Sequence, residues 1–137
     1  MECRYLENRD YLTLHKWWVD NKFSPPSLDD LPMINGELQG LIVHMEGVEI
    51  CAGFLIDTTV KNGAMIEYCV ANFDVKDKEL RKEALNFLLQ KLSEAGKKIG
   101  KKYLFTSVKN KGLIERLKDS GFVIGSSGTL EMIKKLY

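Results

Sequence analysis

One carboxylate of this 137-residue chain stands inside an otherwise apolar stretch: Glu67 of "AMIEYCVANF", between Ile66 and Tyr68. Partial desolvation there destabilises the anion, raises the pKa and makes the group a base able to take a proton near neutrality. The competing reading is ordinary strand alternation, which turns Glu67 outward into water, and a bulge in the strand would change the face it meets. His44, among Leu41, Ile42, Val43 and Met45, is a second base or a substrate contact, or else a hydrogen-bonded sheet histidine. Trp17 and Trp18, with Phe23, could line a substrate pocket beside the proline loop "SPPSLDDLP", or pack as core. Cys3, Cys51 and Cys69 are odd in number, lack CxxC spacing and have no histidine near them in sequence, so they read as reduced buried thiols. His15 and His44 are too far apart for metal-ligand spacing, and no metal is expected.

A second place for chemistry is "MIEYCVANFDVKDKELRKEALNFLLQKL", a strand running into a long helix. The first amides of a helix lack intrahelical partners and attract phosphate. Glycines that let phosphate approach the backbone are missing, for none lies between Gly63 and Gly96. Asp77 and Glu79 put negative charge at the helix start, while Lys76, Lys78, Arg81 and Lys82 could clamp phosphates with side chains. An ordered charge-assisted contact contributes about 1.5–3 kcal/mol, against about 0.3–1 kcal/mol for an adverse acid. Anion binding is therefore weakened, or moved onto side chains, rather than excluded.

The elements that must position these residues follow from periodicity. "CRYLE" is a short strand, and Asn8 or Asp10 caps a helix with Tyr11, Leu14 and Trp18 on one face. Pro25, Pro26 and Pro32 make the next segment a rigid loop. "LQGLIVHM", "EICAGFLIDTT" and "AMIEYCVANF" form an antiparallel meander, joined by a type II′ turn at Gly47 and a hairpin at Asn62-Gly63. Leu80, Ala84, Leu85, Leu88, Leu89, Leu92 and Ala95 stripe a long helix that Asp77 or a neighbour caps and Gly96 ends. The strand "KKYLFTSV" can then lie parallel to the third meander strand through a right-handed crossover. Asn110 caps a short helix ended by Gly121, and "FVIG" and "TLEMIKKL" close a final hairpin. The predicted order is β-α-β-β-β-α-β-α-β-β in one α+β domain spanning residues 1–137.

Charge excludes some partners. Lys and Arg total 20 against 19 acids, a net charge of +1 that offers no field for nucleic acid or anionic lipid. The start "MECRYLENRD" lacks a signal-peptide core and no run approaches a membrane span, so a cytoplasmic protein is expected.

The order and the "YLFTSVKNKGLIERLKDSGFVI" segment resemble the GNAT superfamily of N-acetyltransferases, over essentially the whole chain. "CVANFDV" is similar to the end of the family's fourth strand, with Asn72 at a common proline place; the Trp17-Trp18 pair and "PPSLDDLP" resemble small phage and prophage members. The resemblance implies a mixed, mostly antiparallel sheet with helices on both faces, and acetyl-CoA lying between two splayed strands as co-substrate. It implies that Cys69 and Val70 meet the pantetheine arm by their main chain and that Asn110 sits near the coenzyme; Glu67, from its apolar surroundings, is then the candidate base, and direct attack by an amine in a ternary complex fits better than a cysteine intermediate. The chain departs from the family in its glycine-free loop and in Leu117, which replaces a common tyrosine acid. An acetyltransferase acting on an amine, as a monomer or homodimer, therefore stands beside an inactive binding module of the same fold.

Overall fold

Between Leu38 and Ala71 the apolar residues come in near-continuous runs, "LIV", "ICAGFLI" and "YCVA", the pattern of strands buried on both faces. In the computed structural model, which describes residues 1–137, they become the centre of a five-stranded sheet. The chain runs β1 (Glu2–Tyr5), α1 (Tyr11–Asp20), a small arm of β2 (Met33–Ile34) and β3 (Glu37–Leu38), then β4 (Gly40–Met45), β5 (Val48–Asp57) and β6 (Gly63–Ala71). It continues with α2 (Lys78–Lys98), β7 (Tyr103–Phe105) and α3 (Lys111–Asp119). The sheet order is β1-β4-β5-β6-β7, antiparallel except for β6 and β7, which the α2 crossover makes parallel. No helix is long and apolar enough to cross a membrane.

Two apolar clusters, one on each face, hold the sheet. Leu88, Leu89 and Leu92 of α2 and Leu117 of α3 pack with Val43, Cys51, Leu55 and Ile66. Leu14, Trp17 and Trp18 of α1 pack on the other face with Ile42, Ala52, Phe54 and Val70. Asp10 is the buried carboxylate, and Arg4 meets it with two 2.8 Å contacts while the Glu7 amide donates at 2.8 Å. Burial alone would raise its pKa, but Arg4 and that amide hold it below the usual range.

Several local expectations change. The Glu46-Gly47 turn has φ of 51° and 80°, a type I′ turn with Gly47 second rather than a II′ turn with Gly47 first. The β5–β6 hairpin is joined by the longer loop 58–62, with Thr58 Oγ1 donating to the Gly63 carbonyl at 2.6 Å. The Asn-Gly I′ turn lies at Asn35-Gly36 instead, with φ of 52° and 79° between β2 and β3. Gly96 does not end α2; it is buried inside the helix, where a Cβ would lie 3.1 Å from Leu104 of β7, and Gly100 with φ 84° follows the helix end. The closing hairpin does not form. Residues 120–137 hold no strand, and Val123, Leu130, Met132 and Ile133 are exposed. With only three residues in β7 and Phe122 alone reaching the core, that segment lacks the edge and the apolar cover a hairpin needs.

Candidate functional site

β6 is the strand on which the site is built. Its pairing with β5 runs Ala52↔Val70 and then jumps to Phe54↔Glu67, so Tyr68 and Cys69 stand opposite the single residue Gly53. This is a β-bulge, and Tyr68 takes φ 58°, a conformation that bulky residues rarely adopt. Gly53 is required there, because a Cβ would lie 2.8 Å from the Cys69 sulfur. Ile66 and Cys69 pack toward α2, whereas Tyr68 and Val70 pack toward α1. Alternation from Ile66 puts Glu67 on the α1 side with Tyr68, half-buried at the bulge.

At the same level the sheet opens. Parallel pairing covers only Gly63↔Tyr103, Ala64↔Leu104 and Met65↔Phe105. A last tie comes from Thr106 Oγ1, which donates to the Ile66 carbonyl at 2.6 Å. Beyond it, residues 67–71 have no strand on that edge. Asn21, at the end of α1, donates to the Ala71 carbonyl at 3.1 Å and to that of Trp17 at 2.7 Å, fixing the far end of the open strand.

Burial, and then the Glu131 carboxylate, raise the Glu67 pKa above its ordinary value, which makes its carboxylate a stronger base than a solvent-exposed one. Burial pushes the Cys69 thiol up to about 12, and Cys51 is raised as well, so neither supplies a thiolate nucleophile. No group of three or more His, Cys, Asp and Glu is gathered to hold a metal ion.

One lip of the opening is the loop into α2. Asn72 shapes it, accepting from Asp74 N at 3.0 Å and donating to the Glu49 carbonyl at 2.9 Å. Asp77 caps α2 by accepting from Glu79 N at 3.1 Å and Leu80 N at 3.2 Å, which occupies two amides that would otherwise face a phosphate. Arg81 donates to the Val75 carbonyl and lies 5.3 Å from the centre of the Phe73 ring, and Lys82 pairs with Glu79 at 3.3 Å. Lys76 and Lys78 are exposed and carry no ion pair. On the other lip, Asn110 caps α3, its Oδ1 accepting from Leu113 N at 2.9 Å.

The sequence matches no protein-family model and no curated protein. Solved structures do resemble it. TTHA1254 from Thermus thermophilus is 15% identical, with 100% of this chain and 98% of that one covered at a TM-score of 0.67. N-acetylglutamate synthase from Neisseria gonorrhoeae, complexed with coenzyme A and L-arginine, is 17% identical over 96% of this chain and 29% of its own, at a TM-score of 0.68. Glucosamine-6-phosphate N-acetyltransferase from Arabidopsis thaliana is 14% identical over 99% of this chain and 98% of its own, at a TM-score of 0.60. This is the GNAT fold.

Within the GNAT fold, Glu67, Cys69 and Val70 gather on β6 at the opening, and Lys76, Lys78 and Asn110 sit on its two lips. Arg81 and Lys82, expected to clamp phosphate, are engaged within the loop and helix start. Trp17 and Trp18 are 2% and 3% exposed, so they are core and support the site from behind, with Trp18 edge-on to Tyr68. His44 is elsewhere: it pairs with Glu2 and Glu49 across the sheet at the β1 side, with β5 between its strand and β6. Thr106, Asn21 and Glu131 are not marked by any pattern in the sequence. Asn21 and Thr106 act on carbonyls 50 and 40 residues away, and no local pattern encodes such contacts.

Proposed function

We propose that the chain is an N-acetyltransferase that moves an acetyl group from acetyl-CoA to an amine by direct attack. The observation that carries this reading is the parting of β6 from β7 beside the bulge that bears Glu67. The free edge of residues 67–71 suits the amide groups of a pantetheine arm, which would pair with the main chain around Cys69 and Val70. Similarity to an N-acetylglutamate synthase solved with coenzyme A supports the same ligand class.

In this reading Lys76 and Lys78 receive the phosphates by side chain, since Asp77 fills the helix-start amides, and Asn110 flanks the other lip. Arg81 acts indirectly, by holding the Phe73–Val75 turn in place. Glu67 takes a proton from the amine as nitrogen bonds to the acetyl carbon, and its raised pKa suits that task. The acceptor would approach from the α1 side, where Glu67 and Tyr68 face.

Thiol release from acetyl-CoA with a panel of amino acids, aminosugars, polyamines and peptide amines tests the proposal. Amine-dependent release that falls by about a hundredfold or more in Glu67→Gln is expected. Undiminished turnover in that variant would remove Glu67 from the mechanism. Coenzyme binding with no release for any amine would leave a binding module of the same fold.

A further inference from the structure

Acetyl transfer to an amine leaves the rest of the acceptor undefined, and the sheet face beside Glu67 constrains it. Facing follows from register. Phe54 packs with α1 and pairs with Glu67, so Ile56, two positions on, points to the same side. Ile56 pairs with Met65 and Met65 with Phe105, which carries that side across β5, β6 and β7 in one row. Tyr103 extends it, its ring centre 6.4 Å from that of Phe105. The intervening Leu55, Ile66 and Leu104 turn the other way and pack with α2.

The row is uncovered. Ile56, Met65, Tyr103 and Phe105 belong to neither apolar cluster, and the cluster under α1 ends at Phe54. Phe105 is 44% exposed and Tyr103 52%. A contiguous apolar surface left open beside a reactive group marks a ligand contact. The row spans the closed half of the β6–β7 pair, whereas the two strands part from residue 67 onward. Glu67 stands at that boundary, with Met65 two residues back along β6, about 7 Å away. A coenzyme on the open half and a molecule lying on the row would therefore meet at Glu67. The charges that bear on Glu67 and Tyr68 from beyond β6 are the carboxylates Glu131 and Asp30. They favour an approaching ammonium and repel an acceptor that bears its own carboxylate or phosphate.

We propose that the acceptor is a small primary amine on an apolar body the size of an aromatic ring, which lies on Ile56, Met65 and Phe105 with its nitrogen at Glu67. The proposal rests on the acetyl-transfer reading and names the substrate class of the same site. A linker of two or three methylenes spans the distance from Glu67 to the row. An aminosugar or amino acid would instead set hydroxyls or a carboxylate on side chains that offer them no hydrogen bond. The exchange balances without another reactant. Nitrogen bonds to the acetyl carbon, the C–S bond breaks with its electron pair on sulfur, and the amine proton leaves through Glu67 to offset the charge on sulfur.

Thiol release from acetyl-CoA with 3-phenylpropylamine and with propylamine, two amines of similar basicity, tests this. The kcat/KM for the phenyl compound should be about ten- to a hundredfold higher, and Phe105→Ser should shrink that ratio by about tenfold. Both amines are read in the same variant, so any loss of folded protein cancels from the ratio. Met65→Ser reads the same contact from β6. A wild-type ratio near one, or a higher kcat/KM for glucosamine or glutamate than for 3-phenylpropylamine, would overturn the apolar acceptor and leave acetyl transfer standing. A ratio undiminished in both variants would overturn its placement on this row. Absence of thiol release with every amine would overturn acetyl transfer as well.

Discussion

Glu67 and Tyr68 stand next to each other, and both are perturbed for a reason the backbone supplies. Alternation puts Glu67 on the α1 side and the bulge brings Tyr68 to the same face, both at half-burial, where Glu67 is raised above the ordinary carboxylate pKa. A carboxyl that binds its proton more tightly folded than unfolded adds stability that is full below the unfolded pKa and is lost as pH rises through the folded one. Glu67→Gln should therefore raise the melting temperature at neutral pH and leave it unchanged below about pH 4. Equal melting temperatures at both pH values would show that Glu67 is not held in a desolvated state. Glu67 was legible in the sequence because an acid inside an apolar strand is conspicuous. Tyr68 was not, since a positive φ is ordinarily signalled by glycine or asparagine, and here tertiary packing imposes it on an aromatic.

At the scale of elements, the strand-to-helix passage decides how a coenzyme could be held. Asp77 stabilises α2 and at the same time sets a carboxylate where phosphates would come. Asp77→Ser keeps a capping oxygen and removes the charge. It should tighten coenzyme A binding about two- to fivefold, the equivalent of about 0.3–1 kcal/mol; unchanged affinity by calorimetry would place the phosphates away from this helix start. The bulge has its own test. Gly53→Ala would thrust a methyl against the Cys69 sulfur and Leu88 and should cost about 1–3 kcal/mol in denaturant unfolding. No loss would mean that the bulge shifts freely. The α2 stripe and the Asn110 cap were readable because helix periodicity and capping are local. Gly96 misled because a glycine near a helix end resembles a stop, whereas here it admits Leu104. Asn62-Gly63 misled because its turn is set by Thr58 and by the amides of Lys102 and Tyr103, which donate to the Asn62 carbonyl at 2.8 and 3.0 Å.

For the whole molecule, a sheet covered by α1 on one face and by α2 and α3 on the other follows from two apolar stripes and one crossover, and both were visible in the sequence. The final hairpin was expected from the short apolar stretches "FVIG" and "TLEMIKKL" on either side of "SSG", a local pattern that cannot say whether a sheet edge is long enough to receive it. The ties that hold the site open, Thr106 to Ile66 and Asn21 to Ala71, join distant parts of the chain and appear only when it is folded. The central claim is that this opening holds acetyl-CoA with lysine side chains in place of a glycine loop. Calorimetric titration of acetyl-CoA at low and physiological salt, into the protein and its Lys76→Gln/Lys78→Gln variant, tests it most directly. Micromolar binding that weakens with salt and in the variant is expected; no heat of binding at millimolar ligand would contradict it.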